Sequence, residues 1–392
     1  MTIISHRTRR LQEAMSSFMS FFTSEVFIQA GVDPEACNFM LGNPHDMPLQ
    51  GFVDALARSI VPQNKDWFAY KMNEDIPRKV LAKNLSQTRG LSFQPEDIFM
   101  TTGAFGALAV SLNATIDPGD EVIFITPPWF FYETLILAAG GKPVRVKINP
   151  ESFDLDLAAI EAAITTSTRA IIVNSPNNPT GKIYPASTLE GLSELLTDAS
   201  QRNQRPLYLI SDESYCRIVY DGRDFLSPTN YYPNSFLVYT YGKTLLTPGQ
   251  RLGYLALPPG MTDMEAMREA IFASQFATAY AIPNALLQHS LPDLEKLSVD
   301  VEQLQERRDR LLGELRQIGY DIHTPEGTFY LLPRSPMPDD REFTRLLAEQ
   351  HIYCLPGSVC EMPGYFRISV TANDDMVERS LPGFARAMEL AE

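Results

Sequence analysis

The chain has 392 residues, 44% of them hydrophobic and 21% charged, and a formal net charge of −15 at pH 7. That length predicts two domains or one elaborated one, and the acidic balance argues against nonspecific binding to nucleic acid or anionic membranes, whose phosphates its field repels. Four cysteines (Cys37, Cys216, Cys354, Cys360) form no CxxC pair, and no apolar run reaches the about 18 residues that span a bilayer, so a cytoplasmic protein without a metal site is expected.

In chain order, residues 1–30 read as an amphipathic arm. Its Phe18, Phe21, Phe22 and Phe27 present aromatic surface that needs covering, either by this chain or by a second subunit. From 98 to 260, short apolar runs alternate with helical spacing. DEVIFIT (120–126), RAIIVNS (169–175), PLYLISD (206–212) and SFLVYTY (235–241) are apolar on both faces, like strands of a helix-covered parallel sheet. DLAAIEAAI and TLEGLSELLTDASQ carry helical periodicity between them, which predicts an α/β sheet built from right-handed crossovers. Further on, VEQLQERRDRLLGELRQIG (301–319) predicts a long amphipathic helix. TFYLLP, EFTRLLAEQ, IYCLPGS and YFRISVT then predict the strand, helix, strand, strand order of a smaller α+β domain. The expected organisation is an arm with part of the small domain over 1–48, a large domain over 49–290 and the rest of the small domain over 291–392.

Open α/β sheets hold ligands beyond the carboxyl ends of their strands, and there the unusual polar residues gather. DEVIFIT runs into Pro127-Pro128-Trp129, RAIIVNS into PNNPTG, PLYLIS into Asp212-Glu213-Ser214-Tyr215, and SFLVYT into Tyr241-Gly242-Lys243. IFMTTGAFGALAVSL (98–112) passes from strand through a glycine-containing turn into a helix, whose first N–H groups form an anion seat. Lys243 offers an amine nucleophile, Asp212 a partner for a protonated ring nitrogen and Trp129 a stacking face. Thr240, the 102–106 turn and Arg251, eight positions after the lysine, offer phosphate ligands. One molecule answers every group: pyridoxal 5′-phosphate.

TYGKTLLTPGQRLGY resembles the lysine signature of the class I/II aminotransferases, fold-type I enzymes that use this cofactor. NNPTG, SDESY and YFRIS follow in that family's order, and the likeness runs from about 38 to 370. It implies the PLP-dependent transferase fold: a large domain with a mostly parallel central sheet and a smaller α+β domain. It also implies that Lys243 forms a Schiff base with the cofactor and later moves a proton. Asp212 then faces the ring nitrogen, Tyr215 and Asn178 bond its O3′, and Trp129 stacks on the ring. Backbone N–H groups of Gly103, Ala104 and Phe105 hold the phosphate, with Arg251 and with Thr240, which keeps the hydroxyl of the usual serine. Tyr70 reaches the phosphate across a homodimer interface, although NEDIPRKVL after it departs from the family pattern. Arg367 takes the substrate α-carboxylate, beside Asn178 and Gly42 of the loosely matching LGNPHD.

Some family members recognise a dicarboxylate through a lysine where this chain has Phe105, or through an arginine in the region of SQFATAYAIPN (274–284), which here has no cation. Phe105, Tyr280 and the aromatic arm instead point to a neutral or aromatic side chain. The leading expectation is transfer of an amino group from an L-amino acid to a 2-oxo acid. A C–S lyase or other lyase of the same fold uses the same cofactor motifs, and a noncatalytic PLP-sensing module is the third reading.

Overall fold

The computed structural model describes residues 3–391. Its strands in chain order are β1 (Cys37–Asn38), β2 (Ile98–Thr101), β3 (Glu121–Thr126), β4 (Lys142–Lys147), β5 (Thr168–Asn174), β6 (Tyr208–Asp212), β7 (Ser235–Thr240), β8 (Gly253–Ala256), β9 (Tyr330–Leu331), β10 (Ile352–Tyr353), β11 (Leu355–Pro356) and β12 (Phe366–Ser369). Seven of them form the central sheet, in the order β2-β8-β7-β6-β5-β3-β4. The four apolar runs read from the sequence became β3, β5, β6 and β7, mutually parallel and buried on both faces.

Alternate residues of these strands feed separate cores, as the pleat requires. Ile172, Ile210 and Val238 pack with the helix Ala104–Thr115, which is apolar all round and almost wholly buried. Ile171, Val173 and Leu209 pack under the helix Ala186–Arg202, and Leu237 and Tyr239 join a third cluster.

Two strands of the sheet have no counterpart among the expected runs: β4, parallel to β3, and β8. β4 is an edge strand whose exposed Lys142, Arg145 and Lys147 deter further pairing and hide its apolar period. β8 runs antiparallel to both of its neighbours, β2 and β7. The connection from β7 to β8 holds only the helical turn Tyr241–Thr244 and the 3₁₀ turn Pro248–Gln250, with no crossover helix to carry the chain back along the sheet.

A further core gathers Leu304, Leu311 and Leu315 of the helix Val301–Ile318 with Phe343, Leu347, Phe366, Ile368 and Phe384. Cys37 and Phe39 from near the start of the chain belong to it, and so does Tyr215, beyond the end of β6. β12 lies between β11 and β9, antiparallel to both, while β1 pairs in parallel with β10.

The aromatic arm folds as three short helices, His6–Ala14, Ser16–Phe22 and Glu25–Ala30. It packs on its own chain: the Phe18 ring lies 4.9 Å from that of Phe131 and 5.2 Å from that of Phe130. Among the described residues no helix is long and apolar enough to cross a membrane.

Candidate active site

Because β8 reverses, its first residue Gly253 sits opposite both Thr101, at the end of β2, and Thr240, at the end of β7. That register brings three separate stretches of sequence to one spot. Gly103 caps the helix Ala104–Thr115 with φ of 82°, a conformation that favours glycine. A Cβ added there would stand 2.9 Å from Arg251 Nη2 and 3.2 Å from Thr240 Oγ1. Glycine thus opens a cradle in which a helix N-terminus, a hydroxyl and a guanidinium converge, the donor set that holds a phosphate.

A cavity with about 560 Å³ of empty volume extends from this cradle. Ala104, Phe105, Trp129, Asn178, Asp212, Tyr215, Thr240, Lys243 and Arg251 all line it, so nine of the residues picked from sequence meet at one place. Lys243 Nζ lies 5.7 Å from the ring centroids of both Tyr215 and Phe329.

Asp212 ends β6 and is 5% exposed. Its carboxylate accepts from Tyr132 Oη at 2.7 Å, Ser214 Oγ at 2.5 Å and the Ser214 N–H at 3.1 Å. Burial raises its pKa, and the bonds from Ser214 and Tyr132, with the charge of Lys243, offset only part of that rise. Asn174 Nδ2 donates to the Asp212 carbonyl at 2.9 Å, and its Oδ1 accepts from the Asn178 N–H at 2.8 Å, tying the NNPTG turn to the strand beside it.

Arg367 projects from β12 and is 2% exposed. It donates from Nη1 to Asn178 Oδ1 at 3.0 Å and from Nη2 to the Met40 carbonyl at 2.9 Å, while Nε has no partner. Among the described residues no carboxylate pairs with it. A buried cation with an open donor and no counter-ion is built to receive an anion. Gly42 stands beside it for steric reasons: a Cβ there would come within 2.4 Å of the Phe329 ring and 2.6 Å of Tyr330 Oη.

Tyr70, expected to act across a subunit interface, and Tyr280 do not line this cavity. Tyr70 lies apart from the cavity and is 88% exposed, in a surface groove with Ile282 and Pro283. Tyr280 lies over the start of the helix Ala104–Thr115, against Gly106, and is not among the cavity's lining residues. Tyr132, Asn174 and Tyr330 have no role assigned from sequence, and Ser214 stands there only as a member of the polar cluster after β6. Spacing alone could have flagged Tyr132, three residues after Trp129, and Ser214, two after Asp212. Tyr330 sits inside an apolar run that reads as core.

The family model "Aminotransferase class I and II" matches residues 37–382. The chain belongs to the class I and II aminotransferases. An aspartate/prephenate aminotransferase of Thermus thermophilus is 33% identical over 357 residues, covering 88% of this chain and 89% of that one. A crystal structure of an aminotransferase from Eubacterium rectale superposes with a TM-score of 0.90 at 29% identity, with both chains covered completely. A tetra mutant of the Thermus thermophilus aspartate aminotransferase, complexed with tryptophan, superposes with a TM-score of 0.84 at 28% identity over 99% of this chain and 100% of that one. Of the three readings open at the level of sequence, these relatives bear out the aminotransferase, a transferase with the fold-type I architecture. Aminotransferases of this family use pyridoxal phosphate. The residues present fit that cofactor, since the glycine cradle suits its phosphate and the buried carboxylate its ring nitrogen.

Asp212 has a consequence for stability. Its folded-state pKa lies above that of an ordinary carboxylic acid, so the native state binds the proton more tightly than the unfolded chain. Stability of the cofactor-free protein therefore falls as pH rises from the ordinary carboxylate range through the raised value. Asp212→Asn removes this loss. In thermal melts of cofactor-free protein, the variant is expected to gain on the wild type at neutral pH, and the gain should vanish as pH falls to about 4. A difference that does not vary with pH would contradict a raised carboxyl.

Proposed function

We propose that this aminotransferase moves the amino group of an L-amino acid with an apolar or aromatic side chain to a 2-oxo acid. One observation carries the substrate class. The Phe105 ring packs 5.1 Å from Trp129 and 5.4 Å from Phe131, making an aromatic wall. The cations lining the cavity are Lys243 and Arg251, which the lysine signature assigns to the cofactor. A second substrate carboxylate set against that wall would lose its water without gaining a partner, at a cost of several kcal/mol. The relatives named for aspartate mark the contrast. The tryptophan complex of the tetra mutant supports the reading that the same scaffold accepts an aromatic side chain after a few substitutions.

Bound here, pyridoxal phosphate supplies an aldehyde that takes up amines and a protonated ring that withdraws electrons from the substrate carbon being deprotonated. The chain's own groups do the rest. Gly103, Ala104, Phe105, Thr240 and Arg251 would hold the phosphate, and Trp129 would offer its face to the ring. Asp212, oriented by Tyr132 and Ser214, would pair with the ring nitrogen and favour its protonated form. Tyr215 and Asn178 would address the ring oxygen. Arg367 fixes the substrate α-carboxylate in two-point contact, with Gly42 and Asn178 beside it. Lys243 Nζ, once free, holds and moves the proton removed from the substrate carbon.

We further infer a homodimer. Exposed Phe68, Tyr70 and Ile282 line one apolar groove that a second copy would cover, and Tyr70 would then enter the partner's phosphate cradle. Residues 1–48 and 291–392 are read as one small domain, since Cys37 and Phe39 share its core, and 49–290 as the large domain. Four unpaired cysteines support a reducing compartment such as the cytoplasm.

Turnover is expected to favour phenylalanine over aspartate by about a hundredfold or more in kcat/KM, with Phe105→Lys narrowing that ratio. Preference of the wild type for aspartate would refute the substrate class. In single-turnover absorbance measurements, Lys243→Ala is expected to abolish conversion of bound cofactor to its amine form, and full conversion in that variant would remove the lysine from the mechanism. Mixing inactive Lys243→Ala with cofactor-weakened Tyr70→Phe is expected to restore activity at limiting cofactor through one intact site per mixed dimer. No restoration would mean that Tyr70 does not act in trans.

A further inference from the structure

Tyr330 enters none of the roles above, yet it lies where the substrate side and the cofactor side of the site meet. In the antiparallel pair of β9 and β12, Tyr330 stands opposite Ser369, which makes Arg367 its diagonal neighbour on the same face. The guanidinium lies over the Tyr330 ring, with Cζ 4.0 Å from the centroid, closer than its 5.6 Å approach to Phe130. Tyr330 is 3% exposed, and the missing Cβ of Gly42 leaves room for its hydroxyl. The Tyr215 ring lies 6.0 Å away.

We propose that Tyr330 is a positioning residue for the carboxylate-binding guanidinium: its ring is the platform that lays Arg367 flat. Stacking orients a guanidinium without occupying any of its five donors, which leaves Nε free for an incoming carboxylate.

This inference rests on the reading that Arg367 takes the substrate carboxylate. The test separates ring from hydroxyl in the cofactor-loaded enzyme. Tyr330→Leu removes the platform and is expected to raise KM for phenylalanine, and the dissociation constant of the unreactive 3-phenylpropanoate by calorimetry, each by about tenfold. Tyr330→Phe keeps the platform, so KM and 3-phenylpropanoate affinity should stay within about twofold of wild type. Gly42→Ala, which crowds the Tyr330 hydroxyl and the Phe329 ring, should weaken 3-phenylpropanoate as the leucine variant does, and it serves if that variant does not fold. Wild-type affinity in both Tyr330→Leu and Gly42→Ala overturns the platform, and a loss of affinity of about tenfold in Tyr330→Phe overturns the assignment of the effect to the ring. Arg367→Gln keeps the two ideas apart. If it leaves 3-phenylpropanoate binding intact, the assignment of the carboxylate to Arg367 has failed; if it abolishes binding while Tyr330→Leu does not, only the present inference has.

Discussion

The site depends on a reversal of direction. β7 ends at Thr240, and with no crossover helix available the chain turns back at once and lies down as β8 between β7 and β2. Strands in register must place their ends together, so the phosphate cradle follows from the pairing of Thr101 and Thr240 with Gly253. Lys243 rides on the turn itself. Had this connection been an ordinary right-handed crossover, the arginine eight residues after the lysine would lie on a helix far from the strand end.

A turn of four residues has no stability of its own. It is held from outside, through a buried cluster behind it. The Tyr241 hydroxyl, the Arg217 guanidinium and the Asn84 amide all donate to the Glu295 carboxylate, and the Tyr239 and Thr244 hydroxyls meet at 2.6 Å. A similar arrangement backs Asp212. Its neighbour Glu213 is fully buried and bonded to Arg89 at 2.8 Å and to Ser227. Such pairs contribute little net stability, and removing one partner leaves an uncompensated charge in the interior. Their effect here is geometric: each fixes the backbone next to a group that reacts.

Sequence reading recovered the parts of the fold in which local pattern and tertiary environment agree. β3, β5, β6 and β7 are buried on both faces, so their apolar runs announce them, and the residues at their carboxyl ends met in the cavity as topology requires. β4 was missed because an edge strand carries charge where a central one carries valine. β8 was missed because GYLA, at four residues, has no period to detect. Lys243, Asp212 and Arg251 stand out as polar groups at strand ends. Tyr132 and Tyr330 do not, because a tyrosine that orients a catalytic group has the same sequence surroundings as one that merely fills space. Only the distance to Asp212 or Arg367 distinguishes them.

The arm packed on Phe130 and Phe131 has a bearing beyond its own burial. Phe18 touches Phe131, Phe131 touches Phe105 and Trp129, and those two line the cavity. Phe105 and Trp129 are shared between the proposed cofactor seat and the aromatic wall, but Phe131 and the arm behind it are not. Substitutions in the arm and at Phe131 can therefore reshape the wall from behind while the strand ends stay as they are.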